Sequence, residues 1–316
     1  MSAAPRHTPY DGSSKPFTIG LKPLDLAEWI EVGDDLDMYL AEKRRLYATV
    51  PDKVFVEDLD TRVAQREVLD LIEAHLARHD TQLLGRLKAS AGSHSAEVGG
   101  EARNDKAQNG DDATDAPPLL TASLLVQEDL ILMRRGEDGW RLAAGALCFP
   151  SSWSLVEKFG RPLHEIHAPV PGFGGGTRNA DLISRMFDSL QGQAVLRWNW
   201  SLQAGNDLYL PFSHQERVDR ATNRPSRFST GEIAAQAFIR VERQTLRKLP
   251  VSGDILFTIG IHLDPLSVLE KHPDRQRLAS SFADQLAALD EAQLDYKGLT
   301  ADRDRLLAVM LGLAQR

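Results

Sequence analysis

The chain has 316 residues, of which 42% are hydrophobic, 26% charged and 7% aromatic, with a formal net charge of -8. That is the composition of a globular protein with a substantial core, in one large domain or two smaller ones. The acidic balance argues against nucleic acid, no apolar run has the length of a membrane span, and a single cysteine makes neither an intrachain disulfide nor a cysteine-rich metal site.

Residues 1–16 are polar and lack the apolar core of a secretory signal, so a cytoplasmic location is expected. Next comes 'FTIGLKPLDLAEWIEVGDDLDMYLAEKRRLYATV'. Here Leu24, Leu26, Trp29 and Ile30 form one short amphipathic turn, and Asp35 is a candidate N-cap for a helix carrying Met38, Leu40 and Leu46. In 'TRVAQREVLDLIEAHLARH', Val63, Val68, Leu69, Ile72 and Leu76 fall near helical spacing. Residues 1–88 therefore read as mostly helical. Residues 89–117 are poor in large apolar side chains and rich in Gly, Ala, Asp, Asn and Ser. Such a segment buries too little surface to offset its ordering entropy, and it reads as a disordered low-complexity insertion.

From residue 118 the period changes. 'SLLVQEDLILMRR' and 'WRLAAGALCF' flank 'GEDG', which predicts a β-hairpin. 'AVLRWNWSL' alternates, with Leu196, Trp198, Trp200 and Leu202 on one face and Arg197 and Asn199 on the other. 'AAQAFIRVERQTL' and 'DILFTIGIHL' are two further strands. Between the hairpin and the third strand lie the short helical pieces 'WSLVEKFG', 'PLHEIH' and 'NADLISRMFDSLQ'. Amphipathic helices over roughly 275–293 and 298–314 close the chain. The fold class is α+β: an antiparallel sheet of about five strands with short inserted helices, wrapped by N- and C-terminal helices. Residues 118–270 form the core and 271–316 pack on it. Short helices between the second and third strands are also the layout of a PAS domain, an analogy of fold and not of function.

No dinucleotide fingerprint, Walker loop, HExxH or GxSxG is present. 'GFGGG' at 172–176 has no strand running into it and reads as a hinge rather than a phosphate cradle. The stretch 'LCFPSSWSLVEKFGRPLHEIHAPVPGF', 147–173, holds Cys148, His164 and His167. The two histidines have i, i+3 spacing and suit a shared metal or one haem iron. The plainer reading leaves His164 exposed and makes His167 the cap of a short helix. Pro169 and Pro171 fix an extended exit that would hold His167 at a set angle. Cys148 shares a strand face with Leu142, Ala144 and Ala146, small enough to leave room for a flat ligand; otherwise it is an ordinary buried thiol. Arg243 alternates with Ala237, Ile239 and Val241 on an apolar face, where it needs a carboxylate, either structural or belonging to an anionic ligand. Strand alternation puts Glu242 on the face opposite Arg243, and His262 on a small, partly polar strand face.

Three blocks, 'LCFPSSWSLVEKFGRPLHEIHAPVPGF', 'RWNWSL' and 'RVERQTLRKLPVSGDILFTIGIHLDPL', together with 'PFTIGLKPLDLAEWIEVGDDLDMYLAEKRRLY', resemble the haem-dependent oxidative N-demethylase alpha-subunit-like family. The resemblance implies haem b in a PAS-like fold. It implies oxidation of a methyl group of dimethylamine by O2, giving the dealkylated amine and formaldehyde. Electrons would come from NADPH through separate flavin or iron–sulfur reductase subunits, in keeping with the missing nucleotide fingerprint. On this reading His167 is the first candidate for axial ligand, followed by His164 and Cys148. Arg243 pairs with a propionate, Trp198 borders the cofactor, and Glu242, His262 and Asn199 contact the amine or relay protons. The chain departs from the implied pattern at Gly260 and His262, where an arginine and a tyrosine are expected. The competing classes are a haem-based gas or redox sensor and a cofactor-free PAS-like interaction module.

Overall fold

The computed structural model describes residues 4–101, 116–229 and 231–315. Seven strands form one antiparallel sheet: β1 (Lys22–Leu24), β2 (Phe55–Glu57), β3 (Asp129–Gly136), β4 (Gly139–Ala146), β5 (Ala194–Ala204), β6 (Ala237–Lys248) and β7 (Ile255–Pro265). Their order is β1-β5-β6-β7-β3-β4-β2. The count corrects the expected five. The five long strands are the expected ones, and the two added at the edges have three residues each, too few for an alternating pattern to register.

Local chemistry sets the connections. Glu137 and Asp138 turn β3 into β4, closing on the Gly136–Gly139 pair, and Gly139 takes φ 97°. β6 returns into β7 through Val251–Gly253, with Gly253 at φ 74° and Leu249 N–H donating to Asp254. Asp254 in turn accepts from Arg134 of β3 at 2.7 Å.

Both faces of the central strands are covered. Trp200, Leu202, Ile239 and Val241 pack under the helices Arg275–Ala287 and Arg303–Gln315, through Phe282, Leu286, Leu306 and Met310. Trp200 meets Phe282 edge-on at 4.8 Å and donates its indole N–H to Gln285 at 2.7 Å. Each such fully buried large side chain contributes about 1.5–3 kcal/mol. A second core joins β3 and β4 to the helices Leu36–Thr49, Arg62–His79 and Pro118–Ser123. The Lys43 ammonium crosses that core to donate to the carbonyls of Ser123, Val126 and Glu128.

Two helical expectations change. The C-terminal pair is a set of three, because Asp290 starts Glu291–Lys297 with a capping box and Gly298 ends it at φ 62°. Residues 89–101 continue the helix Thr81–Glu101 instead of opening a disordered insertion. A helix does not require large apolar side chains of its own, and Ala91 is buried in the core. Residues 102–115, the rest of that expected insertion, lie outside the described residues.

Candidate functional site

On the sheet face away from the helices Arg275–Ala287 and Arg303–Gln315 lies a cavity of about 610 Å³, which the C-terminal helix Glu291–Lys297 reaches through Tyr296 and Lys297; its volume is within the usual range of ligand and cofactor sites. Ile131, Met133, Phe257 and Ile259 make the apolar end of its floor. Arg197 and Asn199 of β5, with Glu242 and Gln244 of β6, make the polar end. The register explains the grouping: Arg197 pairs with Gln244 and Asn199 with Glu242, so all four side chains share one face. The roof is the short-helix stretch, through Trp153, Lys158, Leu163, Ile166 and His167.

His167 is the C-cap of the turn Leu163–Ile166, which begins at Pro162. Its Nδ1–H donates back to the Leu163 carbonyl at 3.1 Å, leaving Nε2 as the free ring nitrogen. Burial, then the charges of Lys158 and Arg197, push its pKa down to about 4. At neutral pH this is an uncharged imidazole held by a backbone carbonyl, the condition in which histidine ligates metals.

Glu242 is clamped from one side. Asn199 and Gln244 both donate to its Oε2, at 3.2 and 2.8 Å, while Oε1 has only Arg240 at 3.8 Å. Lys297 donates to Asn199 at 3.4 Å and to the Trp200 carbonyl at 2.5 Å. Burial pushes Lys297 down to about 8, and burial with the charge of Arg217 pushes Lys158 down to about 7. Tyr296 is raised to about 12, by burial and then by Glu242. Lys158 and Tyr296 keep accessible surface, but both line the cavity, so that surface is part of its wall.

Further cations complete the wall: Arg217 and Arg220 from the helix His214–Asn223, and Arg227 beyond it. The Nε groups of Arg197 and Arg227 are buried with no hydrogen-bond partner. Buried guanidinium hydrogens without acceptors are costly, and here they border a space open to an anionic ligand.

The expected site residues divide. His167, Asn199 and Glu242 come together at the cavity. His164 is exposed and packs toward Gly175. Cys148 is fully buried outside the cavity lining, its backbone N–H donating to Asp129 at 2.8 Å, and burial, then Asp129, push its thiol far up, so it stays protonated. Arg243, Trp198 and His262 are on the other face. Arg243 donates to the carbonyls of Trp29 and Glu28, at 2.9 and 2.5 Å, and its Nε is 3.3 Å from Glu31. Of its two expected partners the structural carboxylate is the one present, because the loop after Leu26–Glu28 crosses this face of β6. Trp198 lies 4.4 Å from the His7 ring, and His262 Nε2 is 3.4 Å from Glu31. Lys158, Arg197, Arg227 and Lys297 are the residues that motif reading passed over. The polar side of 'RWNWSL', opposite its tryptophans, signalled Arg197 alone.

The fold and this site define an α+β protein with a deep, cation-rimmed cofactor cavity beside a neutral imidazole. The chain belongs to the haem-dependent oxidative N-demethylase, alpha subunit-like family, whose model matches residues 20–307. That description marks the family as haem-dependent and as one subunit of a larger oxygenase. The residues present fit a haem: an imidazole with a free Nε2, apolar walls for a flat macrocycle, and unpartnered guanidinium hydrogens for its carboxylates. No described helix is long and apolar enough to cross a membrane.

Proposed function

We propose that this chain is the haem b-bearing subunit of an oxidative N-demethylase acting on a small, dimethylamine-like secondary amine, and that the five long strands with their inserted helices are a PAS-like haem domain. The observation that carries the reading is His167: neutral, oriented by Leu163, and lining a cavity of cofactor size. His167 Nε2 would hold the iron, and Arg197 and Arg227 would hold the propionates. When bound, haem supplies O2 activation and the oxidation of a methyl C–H bond.

The protein's own side chains handle the amine. A secondary amine is a cation at neutral pH and needs an anionic partner. Glu242 offers Oε1, the oxygen that Asn199 and Gln244 leave free, to the ammonium N–H. It can take that proton as the nitrogen becomes the free base whose methyl group is oxidised. Lys297 fixes Asn199 from behind. Over one turnover the amine, O2, two electrons and two protons give the dealkylated amine, formaldehyde and one water. The electrons derive from NADPH through a separate flavin or iron–sulfur reductase. A cytoplasmic setting suits this supply of reductant.

The test is reconstitution with haem followed by single turnover. A Soret band is expected, then formaldehyde when the reduced protein meets O2 and dimethylamine with excess chemical reductant to supply the second electron. A protein that takes up no haem would sink the reading. Haem uptake without formaldehyde across a panel of methylamines would convert it to a haem-based sensor.

A further inference from the structure

His7, Glu31 and His262 come together on the sheet face opposite the cavity, from the N-terminal arm, the loop before the helix Leu36–Thr49, and β7. Their ligand atoms all lie within 4.8 Å of one another. Glu31 Oε2 is 3.0 Å from His7 Nε2 and 3.4 Å from His262 Nε2. A tetrahedral zinc ion with bonds of about 2.0–2.2 Å sets donor separations of roughly 3.3–3.6 Å, so small shifts of these side chains would seat one.

The His262 side chain is nine-tenths buried, with 10% exposure, and its Nε2 has no aligned hydrogen-bond partner despite its closeness to Glu31. An imidazole nitrogen buried with only a long, poorly aligned contact to a carboxylate keeps most of its capacity as a ligand atom unused. The surroundings tolerate a cation. Arg243 and Arg6 flank Glu31 at 3.3 and 3.7 Å, but the buried Glu128 accepts the Glu31 backbone N–H and has its own Oε2 unpartnered. Arg243 binds Glu31 through Oε1, while Oε2 faces both histidines at 3.0 and 3.4 Å with Arg6 Nε farther off at 3.7 Å.

We infer that His7, Glu31 and His262 form a binding site for a divalent transition metal of the zinc class, separate from the haem cavity. Two imidazoles and a carboxylate are a borderline-metal donor set, with the fourth position left for water. The ion would tie the N-terminal arm to β7. Haem plays no part in the assignment, so the site stands or falls independently of the proposed reaction.

The experiment is calorimetric titration of the full-length protein, as purified, with Zn2+ after dialysis against chelator. One ion per chain is expected, with affinity micromolar or tighter. H7Q and H262Q should each weaken binding at least tenfold, while H164Q, at the exposed histidine of the roof, leaves it unchanged. H7Q changes only the arm, so it remains informative if H262Q fails to fold; an unchanged far-UV circular dichroism spectrum certifies each variant. No saturable Zn2+ binding to the wild type, or wild-type affinity in H7Q, overturns the inference.

Discussion

Arg197 and Arg243 sit on neighbouring strands and point to opposite faces, and their surroundings separate the two sides of the sheet. Arg243, 3% exposed, has its guanidinium taken by two carbonyls and a carboxylate. Arg197 donates one N–H to the Thr18 carbonyl and keeps a buried Nε with no partner. Around Arg243 the covering loop supplies acceptors matched to the strand. Around Arg197 the cover is a run of short, proline-punctuated helices that stand off the sheet and leave a hollow. Both arginines are inward-facing, but only one is complete without a ligand. Between these two arginines, the unmet hydrogen bond marks the one that borders a space for a ligand.

The largest expected effect concerns the ligand on the hollow side. His167→Ala should abolish the native Soret band and reduce formaldehyde formation to background. An unchanged spectrum would return the ligand to His164 or Cys148. The two arginines then give opposite outcomes. Arg243→Ala removes a buried guanidinium from the Trp29 and Glu28 carbonyls and from Glu31 and should cost about 3–5 kcal/mol in denaturant unfolding, with haem affinity retained in the folded fraction. Arg197→Ala should leave stability nearly unchanged and weaken haem binding about tenfold, the loss of one charge-assisted bond. If both variants lose stability and neither loses haem, the distinction between the faces fails.

The sequence made the filled face easier to read than the hollow one. The alternation of Ala237, Ile239 and Val241 announces a packed surface, since apolar residues at period two have few other uses, while that of Trp198 and Trp200 alone leaves open which face is interior. The five long strands, the short helices between them and the inward Arg243 all followed from such patterns. The partner of Arg243 did not, because Glu31 lies 212 positions away in a loop with no period. The hollow face was legible only in pieces. His167 stood out through its prolines, but Lys158, Arg227 and Lys297 are ordinary surface cations in sequence, and only the tertiary arrangement turns them toward a cavity. Cys148 misled for the opposite reason: small neighbours at alternate positions mark close packing as well as they mark room for a ligand.

Smaller effects probe the polar end of the cavity. Glu242→Gln keeps the side-chain shape and removes the charge, so haem binding should persist while KM for the amine rises roughly tenfold, again about one charge-assisted contact. A change in kcat alone would make Glu242 a proton-transfer group rather than a binding one. The pH dependence of ligand capture completes the series. Lys158 releases its proton near 7 and Lys297 near 8 in the folded chain. Both values are depressed, so each lysine is a cation below its folded value and neutral above it, and the cavity loses positive charge as pH rises from about 7 to about 8. Carboxylate-bearing ligands should therefore bind more weakly at pH 9 than at pH 6.5, by a few-fold to about tenfold. Lys297→Met should lower the acid-side affinity and flatten the upper part of the profile, because the group that titrates there is gone. Arg243→Ala, on the filled face, should leave the shape of that profile unchanged. A profile that moves with Arg243 and not with Lys297 would mean that the ligand is held from the other side of the sheet.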